Sequence, residues 1–98
     1  LFATLILGYF FLEDNESIQE CYKRYEKLTA NINKNLENDL TIKSIYYASQ
    51  WSSTQRKQYV EKLQSISDKA FENDKLKHLQ SFITDVVEHY EIPMKAIK

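Results

Sequence analysis

The chain has 98 residues, 43% of them hydrophobic, 28% charged and 13% aromatic, with 13 basic against 14 acidic side chains. At that length one modest core can form, burying roughly 65% of the surface of the extended chain. The composition excludes a disordered polyelectrolyte, the single cysteine (Cys21) excludes a disulfide-stapled fold, and a net charge of -1 supplies no general field toward nucleic acid or anionic lipid.

Gly8 and Pro93 are the one glycine and the one proline, and residues 9–92 contain neither. An all-β chain of this size would need about seven turns, and turns draw on Gly, Pro and Asn-Gly pairs. The fold class that follows is all-α: a four to five helix bundle of antiparallel helix hairpins, with an apolar N-terminal helix, in a single domain spanning 1–98.

Residues 1–12 (LFATLILGYFFL) are apolar at ten of twelve positions, on every side of a helix drawn through them. Three readings stand: the end of a membrane anchor that starts upstream, a helix packed in the bundle or against a partner, or a leftover signal-peptide core. Twelve residues are short of the roughly 20 that a bilayer crossing takes. The lack of an initiator methionine suggests a processed or truncated product. The remaining stripes can pair without this segment, so its removal is expected to leave residues 15–98 folded.

Ser17 and Glu20 form an S-x-x-E capping box, with Asn15 a competing N-cap. Ile18, Cys21, Tyr22, Tyr25, Leu28, Ile32 and Leu36 follow at spacings of three and four, which predicts one long amphipathic helix. Asn31, Asn33 and Asn35 weaken its end. Asn38 and Asp39 punctuate, and a shorter helix is predicted over Leu40–Trp51. Ser52 and Gln55 repeat the capping box as S-x-x-Q and predict a restart. Tyr59, Val60, Leu63, Ile66, Ala70 and Phe71 carry that helix. Glu72-Asn73-Asp74 breaks it, with Asp74 as N-cap for a last stripe of Leu76, Leu79, Phe82, Ile83, Val86, Val87 and Tyr90. Pro93 ends it or opens a final turn through Ile97.

Little chemistry is on offer. Cys21 stands beside Lys23 and Arg24, but a thiol nucleophile needs a base, and His78 and His89 are remote in sequence. The two histidines lie three turns apart on one helix and cannot share an ion, and no Cys-x-x-Cys or His-Glu-x-x-His is present. Phosphate cradles need glycines that the chain lacks. No cofactor, metal or nucleic-acid partner is expected.

The seven tyrosines and one tryptophan are the least ordinary feature. Between Leu40 and Trp51 an aliphatic stripe (Ile42, Ile45, Tyr46, Ser49) is the better core face. That leaves Tyr47 and Trp51 as an aromatic ridge, either packed under a second helix or serving as a binding hot spot. Tyr47, Trp51, Leu5, Phe10 and Phe11 are therefore the candidate partner contacts. The function expected is a non-catalytic protein–protein interaction or structural module, membrane-anchored, homo-oligomeric or a subunit of a larger assembly. The alternative is a small soluble helical regulator or apolar-ligand carrier. The lone cysteine favours a reducing compartment, and the apolar segment a membrane contact through residues 1–12.

Overall fold

The computed structural model describes residues 2–30 and 36–93, and in them the chain is five α-helices and one 3-10 turn. They are α1 (Phe2–Phe11), α2 (Asn15–Thr29), α3 (Leu36–Thr54), α4 (Lys57–Glu72) and α5 (Lys77–Tyr90), with the 3-10 turn at Asp74–Leu76. The all-α class read from the scarcity of turn residues is what is found. Ile32 and the final turn through Ile97 lie outside the described residues.

Helix α3 is the axle, packing against α1, α2, α4 and α5. That explains why two stripes on it are buried and not one: Ile42, Ile45 and Ala48 on one side, Leu40 and Ser44 on another. A helix with neighbours nearly all round has no single apolar face for a period of 3.6 to reveal.

Two apolar clusters form the interior. One gathers Ile6, Phe10, Ile18, Cys21, Tyr22, Tyr25, Ile42, Ile45, Ala48, Leu63, Val86 and Ile92. The other gathers Leu40, Ile66, Ala70, Leu76, Leu79 and Ile83. Tyr47, Phe82 and Val87 pack against both and join them.

The helix boundaries depart from the capping signals in instructive ways. Asp14, and neither Asn15 nor Ser17, caps α2: its carboxylate accepts from the Ser17 amide at 3.1 Å and from the Ser17 hydroxyl at 2.7 Å. Those bonds, the hydroxyl's first, hold the Asp14 carboxyl below its ordinary value. The expected restart at Ser52 does not occur, because Ser52 is still inside α3. Gln55 closes that helix in the left-handed region, φ 59°, its amide donating to the Trp51 carbonyl at 2.7 Å. The start of the last helical segment is capped by Asn73, not Asp74, its side chain accepting from the Lys75 amide at 3.0 Å.

Glu13 and Glu91 end α1 and α5 in the same left-handed conformation, φ 57° and 54°. Each builds a Schellman pair: Glu13 and Asp14 amides to the Phe10 and Tyr9 carbonyls, Glu91 and Ile92 amides to the Glu88 and Val87 carbonyls. A chain with one glycine thus terminates three helices with Glu and Gln.

Helix α2 stops at Thr29, whose hydroxyl turns back to the Tyr25 carbonyl at 2.6 Å. The long stripe drawn to Leu36 is therefore divided: Leu36 opens α3, and both Leu28 and Leu36 are exposed. Asn38 and Asp39 do not punctuate but sit in the first turn of α3, where acidic side chains suit the positive helix end.

Candidate interaction surface

Helix α1 has two faces of opposite fate. Ile6 is fully buried and Phe10 is 5% exposed, both within the first apolar cluster. Successive residues turn by about 100°, so Thr4, Leu5, Gly8, Phe11 and Leu12 fall on one arc whose middle, Gly8, is opposite the Ile6–Phe10 side. All five are exposed: Leu5 at 45%, Phe11 at 75% and Leu12 at 76%, with Thr4 and Gly8 beside them. A side chain built on Gly8 would meet no atom of the described residues within 4 Å. No residue of α1 is charged.

Phe10 must be reassigned from the expected partner contacts to the core. Its ring meets those of Phe82 edge-on at 6.2 Å and His89 at 4.9 Å, with Tyr90 at 5.8 Å. It is the plug that pins the end of α1 to α5. The same corner is fastened by polar contacts: His89 Nε2 lies 3.3 Å from Glu13 Oε1, and the Tyr90 hydroxyl donates to Asn15 Oδ1 at 3.3 Å. Leu5 and Phe11 stay on the outside, and Leu12 and Gly8 join them. The sequence does not single out those two, because the segment is apolar on all sides; the 4–5–8–11–12 spacing marks them only once Ile6 and Phe10 are known to point inward.

Tyr47 and Trp51 do not sit with that face. Both are half-buried against the first cluster. Tyr47 belongs to a chain of tyrosine rings. Tyr22 stacks on Tyr46 at 3.8 Å with planes 10° apart, Tyr46 meets Tyr47 at 5.6 Å, and Tyr47 meets Tyr59 of α4 at 6.3 Å. The Lys62 ammonium lies over the Tyr47 ring at 5.2 Å and the Tyr59 ring at 5.9 Å, within cation–π range. Burial pushes the Tyr22 and Tyr46 hydroxyls up from their ordinary value, with neighbouring tyrosines and Glu26 adding to it.

Beside the exposed face, Leu5, Tyr9, Ser17, Glu20, Cys21 and Arg24 line a shallow cleft. Burial raises the Cys21 thiol, and the Arg24 guanidinium opposes this only in part. A thiol held protonated is a poor nucleophile. Among the described residues no three His, Cys, Asp or Glu side chains are grouped to hold a metal ion. Among them, too, no helix is long and apolar enough to cross a membrane.

Compared with protein-family models, curated proteins and solved structures, the chain matches none.

Proposed function

We propose that this chain is a non-catalytic helical interaction module, and that it works through the outer face of α1. The observation that carries this is the split of α1: Ile6 and Phe10 lock the helix into the bundle, while Leu5, Phe11 and Leu12 stand exposed on an uncharged arc. Those three side chains together offer on the order of 400 Å² of apolar surface, the size of the largest patch a monomeric protein usually carries, and such patches commonly mark binding sites. Scattered surface leucines need no explanation; a contiguous arc on a helix otherwise anchored in the core does.

The carrier alternative needs a hollow between helices lined by the aromatic side chains. Here Tyr22 and Tyr46 stack on one another at 3.8 Å and leave no hollow between their rings, which speaks for the interaction module instead.

The test is affinity capture with the full chain beside a Phe11→Ser/Leu12→Ser variant, followed by reconstitution with the purified captured protein. The variant should keep wild-type thermal unfolding and lose the bound protein. Equal capture by both chains would end the assignment of the site to α1.

A further inference from the structure

We propose that the occupant of the α1 face is a second copy of this chain, seated antiparallel across Gly8. The proposal rests on the interaction surface described above and names its partner. Three observations point to it.

The first is charge. In a two-fold contact a surface meets itself, so a surface with a net charge meets the same net charge on its copy. The α1 face carries none, and it can meet itself without repulsion. The acidic residues Glu13, Asp14 and Glu16 follow directly at one end. Antiparallel seating sends the two acidic ends to opposite sides of the pair. The same residues count against a lipid surface, since helices that lie on membranes carry Lys and Arg along their flanks.

The second is Gly8. Glycine is among the poorest helix formers, and among the described residues nothing uses its lack of a side chain, because none of them lies over it. It sits at the middle of the exposed arc. A bare backbone at that place lets another helix approach closely. Around it, positions equally far on either side face each other: Leu5 against Phe11 of the second copy, and Thr4 against Leu12 of the second copy.

The third is area. Two such faces would bury about 800–1,000 Å² in total, below standard interfaces and at the level of weak, reversible contacts. The expected assembly is a dimer in exchange with monomer, not an obligate one.

Sedimentation velocity of the full chain, from micromolar to millimolar concentration, should show this equilibrium. Gly8→Gln should raise the dimer dissociation constant about tenfold or more, and Phe11→Ser/Leu12→Ser should leave a monomer. Gly8→Ala should raise the melting temperature, as a better helix former with room for its methyl, while weakening association. That opposition of signs belongs to a contact and not to the fold. Under mild oxidation Gly8→Cys in a Cys21→Ala chain should form a linked dimer, whereas Glu20→Cys in the same chain should not. A chain that stays monomeric throughout, or that associates unaffected by Gly8→Gln, overturns the proposal. So does a monomer that floats with phosphatidylcholine vesicles through Phe11 and Leu12. If the chain is monomeric but the double serine variant still loses a captured protein, the second copy alone is ruled out; if that variant changes neither, the interaction surface falls with it.

Discussion

The Tyr25 hydroxyl donates to the Asp39 carboxylate at 2.6 Å in the interior, and Lys43 holds the other carboxylate oxygen at 3.0 Å. This bond ties the end of α2 to the start of α3. It also explains how a charge sits almost buried at Asp39: one oxygen has a phenol and the other an ammonium. Tyr25→Phe should cost about 1.5–3 kcal/mol, the usual worth of a hydrogen bond to a charged group. Urea denaturation measures it, and an unchanged midpoint would show that the bond contributes nothing. Asp39→Ala should cost at least as much, since it removes both this bond and the Lys43 ion pair.

The two faces of α1 predict opposite outcomes for neighbouring substitutions. Ile6→Ala should destabilise by about 2–5 kcal/mol, as for other buried aliphatic truncations. Phe11→Ser should stay within about 0.5 kcal/mol of wild type, as for exposed positions. Thermal melts of the two variants decide it. The full burial of Ile6 also revises the expectation for removing residues 1–12: the shortened chain loses core, and its unfolding should broaden or shift to lower temperature.

Gln55 occupies the left-handed region without being glycine. Its side-chain amide reaches the Trp51 and Ser52 carbonyls only at 3.4 and 3.5 Å and in the open. Gln55→Gly should therefore stabilise, by about 1 kcal/mol, through relief of that conformation. A lower melting temperature would mean that the side-chain contacts outweigh the strain.

This residue also shows where the sequence stops being legible. The apolar spacing of α2, α4 and α5 was readable because each has one buried side. The boundary between α3 and α4 was not, since S-x-x-Q at Ser52–Gln55 serves equally as a helix start or as the tail of a helix that a left-handed glutamine closes. Neither could the two outward residues Leu12 and Gly8 be told from Ile6 and Phe10 in a segment without polar markers. Only the positions of α2, α3 and α5 beside it fix which way α1 is turned.

Raised tyrosine hydroxyls set an alkaline limit. Tyr22, Tyr25, Tyr46 and Tyr90 are all raised from the ordinary value of 10.0, burial being the first cause in each. The folded state then holds these protons where the unfolded chain would release them. Their contribution is fully present below pH 10 and is lost as the pH climbs above it. Stability should fall steeply above about pH 10. The phenolate absorbance of these four, taken as the loss of signal in their Phe variants, should rise together with loss of helix, not ahead of it. Ionisation of these four with the helix signal unchanged would contradict this.

Cys21 is 9% exposed with its thiol raised by burial, so a thiol reagent should label it slowly in the native state and fast in urea. Rapid native labelling would show that the cleft beside α1 opens in solution.

Tyr47, Phe82 and Val87 touch both apolar clusters, and this gives the bundle a joint as well as a core. The lower cluster, built from Leu40, Ile66, Ala70, Leu76, Leu79 and Ile83, draws mainly on α4 and α5 and contains nothing from α1 or α2. These three side chains, together with Leu63, Val86 and Ile92 that reach from the α4–α5 side into the first cluster, carry the cooperativity between the halves. Trim one of them, as in Tyr47→Ala, and the α4–α5 hairpin gains a route to open locally while α1 and α2 remain closed on α3. Native-state hydrogen exchange should then resolve two protection classes, against the single class expected for the wild type. A protein of this size can in that way hold two units of unfolding inside one envelope, with a tyrosine ring setting how tightly they are coupled.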